Sequence, residues 1–202
     1  PIAQAAGLPE LPVGLPSELL TRRLRLRPPR RSDAAPLQEA IEETLDQLVP
    51  YLPWARPGHS RAETRRYLRA SRIAWARRSA FEFVLETPAS GAILGIASLH
   101  RIDWLRRCAG MGYWVRRSRF GQGLATEAGE ALLGHAFDAL VLHRIEALVA
   151  PSNKPSQRVV EKLGFTCEGL ARDAELIGNV FVDHLQYSML SSDRLDGARA
   201  EA

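Results

Sequence analysis

Between Arg116 and Thr126 the chain gathers residue types suited to holding an anion. Gly121 and Gly123 stand one residue apart in Arg119-Phe120-Gly121-Gln122-Gly123-Leu124-Ala125-Thr126. Ahead of them runs the apolar stretch Met111-Gly112-Tyr113-Trp114-Val115, and behind them Leu124, Ala128, Ala131, Leu132, Ala139 and Leu140 recur at mostly helical spacing. A strand, a glycine loop and a helix start leave the first helical N–H groups without intrahelical partners, and glycine lets the backbone turn such donors toward one point. Backed by the positive end of the helix dipole, they suit a phosphate. A bare Gly-x-Gly could merely join strand to helix; Arg116, Arg117 and Arg119 beside it turn the reading to phosphate binding.

Other chemistry-bearing residues are fewer. Pro50-Tyr51-Leu52-Pro53-Trp54 is a proline-punctuated loop whose two aromatic rings either cover the core edge or serve a binding site. Asp183-His184 reads as a hydrogen-bonded structural pair. His100, His135 and His143 have no ligand spacing, and Cys108 and Cys167, expected to be packing residues, have no metal-type spacing either, so no metal is expected. With 202 residues, 46% hydrophobic and 25% charged, the chain reads as one soluble domain. It shows neither a membrane-length apolar run nor a signal-peptide pattern, so a cytoplasmic location is expected. The net charge of +4 is spread along the chain, which argues against direct nucleic-acid binding.

The pattern Phe120-x-x-Gly123-x-Ala125 resembles the [Gln/Arg]-x-x-Gly-x-[Gly/Ala] acyl-coenzyme A loop of the GNAT superfamily of N-acetyltransferases. Asn153-x-x-Ser156, Glu161-Lys162-Leu163-Gly164-Phe165 and Glu168-Gly169 are similar to its RimJ and RimL branch, which acetylates ribosomal-protein N-termini. The resemblance covers about residues 20–190. Phe120 departs from it, but that position contributes mainly its backbone N–H in the family. The resemblance implies acetyl-CoA as co-substrate, with its pyrophosphate on Gly121, Gln122, Gly123, Leu124, Ala125 and Thr126 and its thioester beside Trp114 and Val115. Arg116, Phe120, Asn153 and Ser156 complete that expected site. Gly110 and Gly112 would permit the bulge that splays the strands in the family.

Acetyl transfer to an amine needs a neutral amine, a stabilised oxyanion and a proton for the leaving thiolate. A backbone N–H near Val115 would serve the oxyanion. Ser156 is the candidate for the thiolate, its alternative being a hydroxyl that only caps a helix. Glu175 matches the RimL glutamate and is the candidate base; its alternative is an ordinary surface glutamate. Tyr51 and Trp54 are expected beside the acceptor. Roughly one α-amine in ten is neutral at pH 7 but fewer than about one lysine in a thousand, so a protein N-terminus is the first expected acceptor. A small amine such as an aminoglycoside, polyamine or aminoacyl compound is the alternative, which acidic residues such as Glu39, Glu42 and Glu43 in the cleft would favour. A non-catalytic CoA-binding or ribosome-associated module is a third reading, and a homodimer is left open.

These residues need a scaffold. The prolines and glycines of residues 1–18 predict an extended arm, residues 19–192 one domain, and residues 193–202 a tail. Strands are expected at 21–27, 81–86, 93–101, 110–116, 144–150, 166–176 and 180–190, with Gly178-Asn179 turning the last hairpin. Helices are expected from a Ser32 or Asp33 cap to Leu48, over 61–78 with Tyr67, Leu68, Ile73 and Trp75 packing inward, through 124–140, and from Pro155 to Leu163. The order predicts an α/β (α+β mixed) GNAT fold. It is a seven-stranded, mostly antiparallel mixed sheet with its fourth and fifth strands parallel and helices on both faces.

Overall fold

The computed structural model describes residues 17–194; the expected arm and tail lie outside the described residues apart from Ser17, Glu18, Asp193 and Arg194. Strands β1 (Leu19–Leu20), β2 (Arg25–Arg27), β3 (Phe81–Glu86), β4 (Ile93–Asp103), β5 (Cys108–Val115), β6 (Arg144–Val149), β7 (Thr166–Ile177) and β8 (Val180–Leu190) form one sheet. Its order is β1-β2-β3-β4-β5-β6-β8-β7. Among the described residues only β5 and β6 pair in parallel. The sheet thus has eight strands among the described residues, not the expected seven. The extra one is β1, two residues too short for any periodicity, folded back on β2 by a turn in which Thr21 N–H donates to Leu24 O at 2.9 Å.

Helices α1 (Ala34–Leu48) and α2 (Arg61–Arg77) cover one face, with Leu37, Ile41 and Leu68 packed on Val84, Ile93 and Ile96. Helices α3 (Leu124–Gly134) and α4 (Lys154–Lys162) cover the other, where Ala128, Leu132, Val160 and Leu163 meet Phe83, Leu99, Met111 and Ile145. Ser60 caps α2 in a reciprocal pair with Glu63, worth about 1 kcal/mol. Ile73, expected inside, is 43% exposed, because the buried stripe of α2 runs through Thr64, Leu68 and Ser71. The third helix is not regular to Leu140: past Gly134 it widens into a π turn over His135–Ala139, which buries His135, Ala136 and Phe137 in succession. Cys167 is exposed rather than packed, since β7 is the sheet edge.

A buried ionic cluster fixes the other edge. Arg27 donates bidentately to Asp33 (2.9 Å each) and through Nε to Glu86 (2.5 Å), and all three are at most 4% exposed. Arg25 Nε donates to the same Glu86 at 2.6 Å. Asp33 also accepts from Arg30 N–H at 2.6 Å, so its side chain reaches back into the cluster and makes no capping bond to α1, the role expected of it.

The sheet beside the site is irregular at two places. β5 keeps unbroken register with β4 from Gly110 to Val115; one shift lies at the end of that run, between His100 (opposite Gly110) and Asp103 (opposite Cys108), and another lies between β3 and β4, where Leu85 opposes Gly95 and Glu86 opposes Ile93. Gly95 has φ +153°, and a Cβ there would lie 2.0 Å from Trp114 O, so only glycine lets the strands approach. β5 and β6 pair only at Cys108, Ala109 and Gly110 with Arg144, Ile145 and Glu146. Beyond Gly110 they part, β5 staying with β4 and β6 with β8. The parting opens the sheet.

Candidate active site

The glycine loop sits at the end of β5. A 3-10 turn over Arg117–Arg119 leads into it, Gly121 and Gly123 take φ of +72° and +74°, and α3 begins at Leu124 with Gly123 as an N-cap that offers no side chain. The first-turn N–H groups of α3 therefore point outward without a capping acceptor. Two braces hold the loop. Glu43 of α1 accepts from Arg116 through Nε (2.8 Å) and Nη2 and from Ser118 N–H (2.6 Å), while Thr44 Oγ1 accepts from Arg117 N–H (3.0 Å). These donors, the Arg116 guanidinium first, pull the Glu43 carboxyl down to about 2. On the far side, Arg23 donates to Gln122 O (2.7 Å) and through Nε to Glu127 of α3 (2.6 Å).

The braced loop closes one end of a cleft of about 520 Å³. Of the residues expected at the cofactor, Trp114, Val115, Phe120, Gly121, Gly123, Leu124, Ala125, Thr126, Asn153 and Ser156 line it, and Tyr51 does so from the loop after α1. Arg116 and Gln122 do not: the Arg116 guanidinium is spent on Glu43, and Gln122 is an exposed residue whose carbonyl is held by Arg23. Trp54 is not in the wall either, but its ring lies 6.4 Å from that of Trp114 and edge-on to His59 at 5.5 Å. Glu175 is brought elsewhere. It lies on β7 with a carboxylate oxygen 3.7 Å from Nε2 of buried His184. Asp183 accepts instead from Asp173 N–H at 2.8 Å, so Asp183 and His184 are not a pair.

Ser156 does not cap its helix. The Asn153 side chain caps α4 by accepting from Ser156 N–H (3.2 Å), leaving the Ser156 hydroxyl 2.9 Å from the Tyr113 hydroxyl. Tyr113 reaches across the parted strands from β5, and burial pushes its phenol up to about 12, so it stays protonated. Sequence reasoning missed Tyr113, which lay inside an apolar run, and also Arg158 and Lys162, which line the cleft with Arg119. Lys154, Arg158 and Lys162 recur at intervals of four, a helical basic stripe that could have pointed to them. Among the described residues no carboxylate lines the cleft, and no group of His, Cys, Asp and Glu is placed to hold a metal. Glu39, Glu42 and Glu43 stay out of it; Glu42 accepts from Gln38 at 2.8 Å.

A mixed sheet parted at its one parallel pair, with an anion-binding loop at the end of the parting, defines an acyl-coenzyme A-binding fold. The acetyltransferase (GNAT) domain model matches residues 23–166, and the chain belongs to that family. It is 26% identical over 167 residues to the ribosomal-protein-serine acetyltransferase of Escherichia coli (83% of this chain, 92% of that protein). It is 32% identical over 121 residues to the [ribosomal protein uS5]-alanine N-acetyltransferase of the same organism (59% and 62%). With YdaF and YjcK of Bacillus subtilis it is 36% and 38% identical, spanning 56% and 63% of their lengths. Among solved structures, Mycobacterium smegmatis RimJ in complex with CoA-disulfide superposes with TM-score 0.75 at 30% identity, covering 87% of this chain and 88% of that one. The microcin C7 self-immunity acetyltransferase MccE, solved with acetyl-CoA and AMP, shares the fold (TM-score 0.81, 23% identity, 89% and 99% covered). Among the described residues no helix is long and apolar enough to cross a membrane.

Proposed function

We propose that this chain is an acetyl-CoA-dependent N-acetyltransferase acting on the α-amine of a protein N-terminus, ribosomal proteins being the first class to test. The observation that carries the reading is the cleft itself, which runs from uncapped helix-start donors and the cations Arg119, Arg158 and Lys162 to the Tyr113–Ser156 hydroxyl pair. Acetyl-CoA, the acyl-donating substrate, fits that polarity. Its pyrophosphate needs converging N–H groups and cations, and its sulfur needs a proton donor at the other end. Family membership and the named relatives support the same reading.

In this mechanism the amine lone pair forms the N–C bond to the acetyl carbonyl and the C–S bond breaks. The sulfur takes the Ser156 proton, the hydrogen-bonded Tyr113 hydroxyl replaces it, and the proton shed by the attacking nitrogen restores Tyr113, so the products are an amide and a thiol and both hydroxyls end protonated. Glu175, paired with His184 off the cleft, has no step here. Among the described residues the cleft wall holds no carboxylate to attract a polyamine or an aminoglycoside, whereas a peptide α-amine, partly neutral near pH 7, needs no such partner. The test is a panel of N-terminal peptides, lysine peptides and aminoglycosides incubated with acetyl-CoA and read by mass spectrometry and thiol release. Acetylation confined to peptide α-amines is expected; modification of sugar amines alone overturns the acceptor.

A further inference from the structure

Strand alternation gives β5 two faces at the cleft. Tyr113 turns toward the α3 side, while Trp114 turns toward the α1 side, on the face shared by Gly112 and Gly110. On that second face lies a titratable group the mechanism above does not use. His100 of β4 stands opposite Gly110, and its ring covers both glycines: a Cβ at Gly110 would lie 2.6 Å from Nε2, and one at Gly112 3.4 Å from Cε1. The two glycines make room for this imidazole, and the β4–β5 register shifts just past it, between His100 and Asp103. Gly110 is also the last residue of β5 paired with β6, so the ring sits where the strands begin to part.

Arg101 shares the position. Alternation would send it to the opposite face, but its backbone is left-handed (φ +51°), and its Nη2 would lie 3.2 Å from a Cβ at Gly110. A non-glycine residue held in that conformation costs about 1 kcal/mol or more, so the fold maintains the placement against strain. The groups around the ring are Ser98 Oγ (3.5 Å from Nδ1) and Arg101 from β4, the side-chain-free Gly110 and Gly112 from β5, and Glu146, partner of Gly110 on β6. Glu146 accepts from Arg144 at 2.9 Å, and Arg144 also binds Glu168, so that carboxylate is already matched. Burial, and then the Arg101 charge, holds the His100 imidazole down to about 4.

We propose that His100 receives the acceptor, a ring nitrogen accepting a hydrogen bond from the N–H of a neutral amine while the adjacent Arg101 guanidinium disfavours the ammonium form. The site then selects amines already partly neutral, which are peptide α-amines rather than lysines. This rests on the acetyltransferase reading and adds the group that chooses among amines. His100 is a substrate-contacting residue; Arg101 is a positioning and selectivity residue.

The test compares His100→Phe, His100→Gln and Arg101→Asn, the last chosen because asparagine tolerates left-handed backbone. Acetyl-CoA binding by calorimetry checks that each variant retains its folded cofactor site. His100→Phe is expected to lower kcat/KM for an N-terminal peptide by about tenfold, and His100→Gln, which keeps an acceptor atom, to recover most of it. Arg101→Asn removes a cation beside the bound amine and so raises that amine's pKa. The acid limb of kcat is expected to move up by about half a pH unit, with the preference for α-amine over lysine reduced several-fold. Variants that bind acetyl-CoA normally and keep the wild-type rate, pH limb and amine preference overturn the proposal while leaving the acetyltransferase reading intact. A wild-type chain that binds no acetyl-CoA overturns that reading and the proposal together.

Discussion

Two regions of this molecule concentrate charge and treat it in opposite ways. Along the β2–β3 edge, Arg25, Arg27, Asp33 and Glu86 neutralise one another inside the fold. At the cleft, Arg119, Arg158 and Lys162 share a wall with no carboxylate among the described residues. Burying an ion costs several kcal/mol unless its partners come with it, so the edge cluster exists only as a complete set. Solvent-facing cations carry no such demand and remain available to a ligand. Between the two regions stands the Arg116–Glu43 pair: a cation beside the site that the fold has claimed to hold the loop in place.

The largest effect expected from this contrast is at the edge. Asp33→Ala strips Arg27 of its bidentate partner and leaves a buried cation half satisfied, which should cost about 3–5 kcal/mol. Thermal unfolding is the measurement, and a drop on the order of 10 °C is expected. A loss below about 1 kcal/mol would mean the cluster is wetter than its burial indicates.

A second prediction concerns a buried polar group among apolar neighbours. Among the described residues both ring nitrogens of His135 lack hydrogen bonds, its ring lies edge-on to Phe81 and Phe83, and burial holds its imidazole down to about 4. The folded-state pKa lies below the unfolded value near 6.5, so below about pH 6.5 the unfolded chain binds the proton first. Stability is therefore lost as pH falls from about 6.5 toward 4, by up to about 3 kcal/mol from this group, and is flat above that window. His100, shifted the same way, adds to the slope. His135→Phe should reduce the slope of unfolding free energy against pH in denaturant titrations. An unchanged slope would place the proton uptake on another group.

Glu43→Gln probes the intermediate case. The substitution keeps shape and an acceptor oxygen but releases the Arg116 ion pair that seats the loop, so acetyl-CoA affinity should fall by about tenfold, or ~1.4 kcal/mol, with stability little changed. Because the Glu43 carboxyl lies near 2, wild-type affinity should show no titration of this pair above about pH 4. Calorimetry at several pH values checks both.

Legibility in the sequence follows how local each cause is. The glycine loop could be read because its cause spans a few residues: positive φ at Gly121 and Gly123 and a helix starting at once. The strand series, the parallel pair and the hairpin at Gly178 were readable from alternation and loop length for the same reason. What escaped depends on long-range geometry. Tyr113 matters because α4, 43 residues later, brings Ser156 to it. Glu175 lies on the strand expected for it but not in the cleft lining; the β7–β8 register shift between Ala171 and Glu175 is one no pattern announces. The role of Gly95 rests on the approach of the Trp114 carbonyl from the neighbouring strand, whereas Gly110 and Gly112 answer to a histidine across the sheet. Asn153 is the exception, a local signal passed over. An asparagine three residues before Ser156, with Pro155 between, already identifies the cap and frees the serine.

The smallest expected effect lies on the open side of the contrast. Arg158 is exposed on α4 and lines the cleft, so its charge acts through solvent and is worth a fraction of a buried pair. Arg158→Gln should leave the unfolding midpoint unchanged and weaken acetyl-CoA binding by about threefold at low salt. The difference should shrink as ionic strength approaches 1 M, where the screening length falls to about 3 Å. Among the described residues no carboxylate shares the wall, so none there compensates Arg158. The Glu43→Gln defect, which comes from a displaced loop rather than a lost field, should by contrast persist at high salt. If the Arg158→Gln defect also persisted there, the residue would be holding structure, and the division between cations claimed by the fold and cations left for the ligand would have to be redrawn along α4.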